Sequence, residues 1–318
     1  MLRILHGTSY DFIKYWRHAA IITVAFILVG IGSAIFRGGF PYSIEFTGGT
    51  LMQVEFTAAP DVSKMRATLD AAGIKGAEIA TFGSNREFTI RAQGAELVAA
   101  QAAGAEKVAA QIEAALKQAP GLGAFKVVRY ESVGPRVGAE LRRGAIVAML
   151  ISFLVTLLYL AWRFEWRFGL AAVLATMHDI FTTIAFIKLL HLEISLTVVA
   201  AVLTVIGYSL NDTIIIFDRV RENLHKNRKQ SFYDLLNRSV NETLPRSILT
   251  HATPLAATVS LLLLAGEVIR PFAWVMSFGI FTGTFSSIYV ASPILMWIEN
   301  KYPRANEARS TTKATARP

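Results

Sequence analysis

The chain contains no cysteine, which excludes disulfide staples, thiol catalysis and cysteine-based metal sites. Charge is scarce as well. Asp, Glu, Lys and Arg make up 17% of the 318 residues, against 53% hydrophobic residues, too apolar a balance for an ordinary soluble enzyme of this size. No A-x-A cleavage pattern follows the first hydrophobic run, where Gly30, Gly32 and Ser33 lead straight into Ile35 and Phe36. That run is therefore expected to stay in the protein as a span rather than to be removed as a signal.

What the chain does have is long apolar runs, at 19–36, 144–162, 168–190, 194–217, 248–265 and 272–298. Each can cross a hydrocarbon core of ~30 Å, which takes roughly 17–25 helical residues. The expected fold class is an α-helical membrane protein of six transmembrane helices with an inserted α+β domain. The division is an N-terminus and first span at 1–37, a domain at 38–141, spans two to six at 142–300 with a loop at 218–247, and a disordered tail at 301–318.

The formal net charge is +9, and its distribution sets the expected topology. Segment 38–141 carries ten Lys/Arg against eleven Asp/Glu, so the excess lies in the membrane half. Segments 1–17, 162–167, 218–247 and the tail hold most of it, including Arg219, Arg221, Lys226, Arg228, Lys229 and Arg238. The positive-inside rule then places both termini in the cytoplasm and the insert outside. Arg142 and Arg143, on the outer side of the second span, run against the rule, and long translocated domains tolerate such charges. Topology accounts for the basic charge, so no nucleic-acid partner is expected.

The insert alternates between the two secondary-structure periods. Strands are expected at 51–56, 77–82, 87–92 and 125–132, and helices at 62–72 and 95–118. The order β-α-β-β-α-β is that of a ferredoxin-like sandwich. The segment has no histidine and no phosphate loop, and Gly38-Gly39 and Gly48-Gly49 read as turn glycines. In the loop 218–247, Ser231 followed by Asp234 reads as an N-cap. Phe232, Leu235, Leu236 and Val240 form an apolar stripe, expected as an interfacial helix or a solvated basic connector.

Charged groups inside spans are functional candidates because they are costly to insert. Asp179 lies near the middle of the third span beside His178, with Thr176, Thr182 and Thr183 at helical spacing. Asp212 lies toward the inner side of the fourth, beside Asn211 and below Thr204 and Tyr208. Arg246 enters the fifth span with Thr250 one turn further in. A carboxylate facing an arginine in a low-dielectric interior takes up a proton when the two separate, the minimum for a proton-coupled switch. The alternative is a static ion pair that fixes helix register. His178 reads as a packed polar neighbour. Gly279, Gly283 and Ser287 form a small-residue packing line, and Pro254 and Pro293 mark kinks.

Several segments together resemble one family. These are Ile44-Glu45-Phe46-Thr47-Gly48-Gly49-Thr50, Val133-Gly134-Pro135-Arg136-Val137-Gly138, His178-Asp179, Gly207 to Thr213 running on through Asp218-Arg219-Val220-Arg221-Glu222-Asn223, Arg246 to Thr250, and Ser286 to Ser292. In this order, over nearly all of residues 1–300, they resemble the SecF family of the bacterial Sec protein-export machinery, part of the resistance-nodulation-division superfamily. Ile44-Glu45-Phe46 stands where many relatives have Asp-Phe. The resemblance implies half of a two-half transporter of the inner membrane, completed by a SecD-like subunit. That complex would bind the SecYEG channel and use the proton-motive force to help draw preprotein outward. It also implies a proton-coupling role for Asp212 and Arg246, faced by a carboxylate of the SecD half. Asp179 is expected to belong to the proton-coupling group with them, and Asn211, Thr250 and His178 to the supporting polar network. No cofactor beyond the coupling proton and no enzymatic activity are expected. Two rivals fit less well. An intramembrane aspartyl protease needs its aspartates level and close and a Gly-x-Gly-Asp element, which is missing. A stand-alone exporter of the same superfamily needs more than six spans and a domain of about 100 residues, unless the chain oligomerises.

Overall fold

In a computed structural model, which describes residues 8–92, 105–226 and 230–303, each expected apolar run coincides with a long helix. The first is α1 (Trp16–Phe36), preceded by a 3-10 turn at Ile13–Tyr15. The insert then contributes α2 (Ile44–Thr47), β1 (Gly49–Phe56), α3 (Val62–Ala71), β2 (Glu78–Phe82), β3 (Ser84–Ala92), α4 (Ala105–Gln118) and β4 (Phe125–Val133). The remaining spans are α5 (Pro135–Arg163), α6 (Trp166–Leu189), α7 (Leu196–Lys226) and α8 (Phe232–Leu264), then α9 (Arg270–Ser286), a π-helical turn (Ser287–Ala291) and α10 (Ser292–Lys301) in one rod. Six helices are long and apolar enough to cross a membrane among the described residues.

The spans are not equivalent. Half or more of the apolar window of α6, of α7 and of the α9–α10 rod is buried, whereas α1, α5 and α8 turn most of theirs outward. The buried three form the centre. Gly30 of α1 lies so close to α6 that a Cβ there would sit 2.3 Å from Ala185 Cβ, the close approach that small residues permit in lipid.

The insert folds as one antiparallel sheet in the order β2-β3-β1-β4. Met52 and Val54 of β1, Phe88 and Ile90 of β3, Met65 and Leu69 of α3, and Val108, Ile112 and Leu116 of α4 share its buried core. Asp61 caps α3, accepting from Ser63 N at 2.8 Å, and Gly73 at φ 85° follows its end. The expected helix 95–118 is described only from Ala105; its first ten residues, like the tail beyond 303, lie outside the described residues.

Gly48 and Gly49 fit the turn expectation. Gly48 has φ 75° and ψ 166°, a conformation that side chains avoid, and a Cβ on it would lie 2.9 Å from Pro135 Cα. The turn thus packs on the start of α5, where Gly138 faces Gly48 N in return. Further tethers join the insert to the bundle. Ser43 N donates to Ile194 O at 2.9 Å and Ile194 N to Pro41 O at 2.7 Å, while Leu196 N donates to Glu45 Oε2 at 2.7 Å. Arg91 pairs with Glu193. The buried ammonium of Lys188 donates to the carbonyls of Gly38 and Gly39.

One expectation is corrected. Residues 231–247 are not a separate interfacial helix, because α8 runs unbroken from Phe232 to Leu264 through Pro245 and Pro254. The Ser231 cap is present, accepting from Asp234 N at 3.1 Å. The apolar stripe, however, packs inward: Leu235, Leu236 and Val240 are buried with Phe217 and Val220 of α7. That burial keeps the first turns of α8 in register with its membrane half. The basic residues of this region are largely paired, Arg219 and Arg238 with Glu242 and Lys226 with Glu222. Residues 227–229, including Arg228 and Lys229, lie outside the described residues.

Candidate functional site

Two buried carboxylates lie inside the bundle about one turn apart. Asp179 of α6 is level with Ser209 of α7, three residues before Asp212, a rise of roughly 4.5 Å at 1.5 Å per residue. They are therefore nearer in depth than helix counting suggested, but they do not form a dyad, since each has its own partners.

Asp179 is buried and well satisfied. Its carboxylate accepts from Ser286 Oγ of α9 at 2.7 Å and from Ser209 Oγ, and its other oxygen is 3.0 Å from His178 Nδ1. His178 is thus a direct partner of Asp179, closer than the packed neighbour expected of it. Ser287 and Thr213 add a hydroxyl pair at 2.8 Å between the π turn and α7. Thr176, Thr182 and Thr183 bond back to carbonyls of their own helix and stay out of the network.

Asp212 is the opposite case. It is buried, yet neither carboxylate oxygen accepts a hydrogen bond among the described residues, and a buried charge without such bonds is expensive. Its nearest titratable neighbour is His251 of α8, whose Nδ1 lies 3.2 Å from Oδ2. The Ser247 side chain is beside it, and Arg246 reaches it only through its field. Tyr208 stands over the pair, its ring centroid 5.0 Å from that of His251 and its hydroxyl donating to Thr250 O at 2.7 Å. Thr250 therefore takes part through its backbone.

The expected Asp212–Arg246 ion pair is not formed. Arg246 is exposed on the outer face of α8, and no carboxylate lies within 4 Å of it among the described residues. Asn211, expected beside Asp212, is exposed too, because adjacent helical positions diverge by about 100°. Sequence reasoning missed His251, Ser247, Ser209 and Ser286. An ionisable residue within the fifth apolar run was signal enough to find His251. Ser209, Ser247 and Ser286 lie inside segments that carry the family resemblance, but nothing in a serine itself marks it as a partner until the helices are packed.

Comparison with known proteins bears on this arrangement. The family model for the C-terminal part of the protein export membrane proteins SecD/SecF matches residues 111–301, and that of the SecD/SecF GG motif matches residues 33–60. The protein translocase subunit SecF of Gemmatimonas aurantiaca is 62% identical over 318 residues, covering all of this chain and 94% of the relative. The chain belongs to the SecF family. The SecF of Vibrio alginolyticus is 38% identical over 296 residues, covering 93% and 92% of the two chains. Among solved structures, SecDF of Thermus thermophilus, described as a translocon-associated membrane protein, superposes with a TM-score of 0.81 at 34% identity. The match covers 94% of this SecF chain but 40% of that one. A super-membrane-facing form of SecDF matches with a TM-score of 0.68 over 98% and 41%. SecF membership and six apolar helices make this a multi-pass protein of the bacterial inner membrane and a component of Sec protein translocation.

Proposed function

We propose that this SecF chain is one half of a proton-driven export motor, completed by a SecD-like subunit, that works beside the SecYEG channel to help draw preprotein across the inner membrane. The observation that carries this reading is that buried Asp212 of α7 feels the charge of Arg246 of α8, while Arg246 itself is exposed and without a carboxylate partner among the described residues. An exposed guanidinium in a membrane helix is unfavourable against lipid. It favours a protein partner with a carboxylate at that level. That the chain matches only part of SecDF agrees with a missing half.

In this reading Asp212 is the group that gains and loses the coupling proton. Arg246 is the countercharge that leaves and returns as the halves shift, and Asp179 with His178 is a polar anchor holding α6 to α7 and α9. No cofactor beyond the proton is invoked. Residues 38–141 form the periplasmic domain, both termini are cytoplasmic, and the strand order β2-β3-β1-β4 fits the ferredoxin-like form. The domain acts as a lever or support.

The reading is tested by reconstituting the chain with its SecD-like partner in proteoliposomes and measuring proton conductance and preprotein transport. Asp212→Asn and Arg246→Met are each expected to bring both to the level of empty controls; full activity in both variants overturns the proposal. Copurification as a homo-oligomer without a SecD-like subunit would favour a stand-alone exporter instead. Because the chain lacks cysteine, orientation is tested directly. An impermeant maleimide should label Ser84→Cys in intact cells and Lys226→Cys only after lysis.

A further inference from the structure

We propose that His251 is the proton partner of Asp212, so that the titrating unit in the bundle is an imidazole–carboxyl pair. The inference rests on the reading of Asp212 as the coupling carboxylate and adds a residue to it.

The geometry fixes the roles of the two ring nitrogens. His251 Nδ1 lies 2.7 Å from Ser247 O and 3.2 Å from Asp212 Oδ2. A backbone carbonyl can only accept, so Nδ1 carries hydrogen and donates it to Ser247 O, while Asp212 Oδ2 lies beside the same nitrogen without accepting a hydrogen bond. Nε2 then holds the lone pair, and it is buried without a partner among the described residues. It is the one ring position open to an incoming proton. Protonation at Nε2 makes an imidazolium whose Nδ1–H faces the carboxylate. Transfer of the Nδ1 proton to Oδ2 then leaves a neutral carboxylic acid and a neutral imidazole bearing hydrogen on Nε2. One proton has entered at Nε2 and one has moved to Oδ2; return of the Oδ2 proton to Nδ1 and release of the Nε2 proton restore the start.

The other titratable groups around the pair are accounted for. Tyr208 of α7 is engaged with Thr250 O. Arg246 of α8 acts on Asp212 from the exposed face. On α6, Asp179 and His178 hold each other, with Ser209 and Ser286 as further donors to Asp179. From α9, Ser286 and not a charged group faces this region. His251 is therefore the only group in direct ion-pair contact with Asp212 among the described residues.

The test uses the full complex in proteoliposomes and infrared difference spectroscopy against pH. The protonated-carboxyl band is assigned by its loss in Asp212→Asn, and the imidazole bands by their loss in His251→Asn, which keeps a donor for Ser247 O but cannot titrate. Two strongly coupled groups shift each other's apparent midpoint by more than about one pH unit. His251→Asn should therefore move the carboxyl midpoint, and Asp212→Asn the imidazole midpoint, each by about that much or more, while the proton conductance profile shifts with the former. A carboxyl midpoint unmoved by His251→Asn overturns the pairing, and so does an imidazole midpoint unmoved by Asp212→Asn, which covers the case in which the histidine variant fails to assemble. If Asp212→Asn leaves conductance intact yet the midpoints are coupled, the motor reading falls and the pair remains.

Discussion

Gly279 of α9 faces Val205 of α7 with so little room that a Cβ at 279 would lie 2.1 Å from Val205 Cγ2. One turn on, a Cβ at Gly283 would lie 3.0 Å from the Cα of Ser209. This close approach is what brings Ser286 and Ser209, on two different helices, to the same carboxylate of Asp179. The small-residue line of the sixth span is thus a condition for the polar anchor.

Gly279→Ala should push α9 off α7 and destabilise the protein by about 1–3 kcal/mol, the usual cost of overpacking. Val205→Ala in the same chain removes the two methyl contacts but keeps a Cβ 2.9 Å away, so it should recover part of the loss. Thermal unfolding of the purified protein in detergent checks both, and equal melting of the single and double variants would refute the contact.

Ser286→Ala removes one of the donors to buried Asp179. The expected cost is about 1–3 kcal/mol for a buried acceptor left without its partner. Asp179→Asn in the Ser286→Ala background should soften the loss by removing the charge. Unfolding measurements on the wild type and the two variants decide this, and an unchanged midpoint in Ser286→Ala shows that the anchor contributes nothing.

Gly48→Ala introduces a Cβ into a φ 75°, ψ 166° conformation and 2.9 Å from Pro135. Backbone strain alone is worth about 1–3 kcal/mol. The effect should fall on the junction between the insert and α5, so proteolysis near 133–138 should accelerate. Gly144→Ala, with open space at its Cβ position, serves as the control and should cleave as the wild type does.

Asp11 gives a pH dependence outside the spans. Its carboxylate accepts from Tyr233 Oη at 2.6 Å and Asn237 Nδ2 at 2.7 Å, and the Tyr233 hydrogen bond leads the causes that hold its pKa below the usual carboxylate value. A lowered folded-state pKa means stability that is complete above the unfolded value of about 4 and lost as pH falls through the folded one. The docking of the N-terminal segment on α8 should therefore weaken only below about pH 4, and Asp11→Asn should flatten that acid limb. Hydrogen exchange at residues 10–15 across pH 3–7 reads it out; identical profiles would refute the contact.

Much of the chain was legible before any coordinates. Hydrophobic runs gave the six spans because lipid admits few alternatives to a helix of sufficient length. Period-two and period-3.6 patterns gave the four strands and two longer helices of the insert to within a few residues over the described residues, but not the single-turn helix α2 at Ile44–Thr47, which is too short to show a period. The first turns of α8 were misread because an amphipathic stripe looks the same whether it faces headgroups or a neighbouring helix. Leu235 and Val240 carry no mark that distinguishes the two.

The sequence by itself therefore determined the spans, the insert, the family and the presence of ionisable groups inside the membrane, all of which follow from composition and local order. Only the tertiary structure decided which of those groups meet. It set Asp212 against His251 instead of Arg246, and turned Asn211 and Arg246 outward. It also gave Asp179 its two serines. Such pairings depend on how the helices are rotated and how closely they approach, and those are set by contacts such as Gly279 on Val205, between residues far apart in the chain.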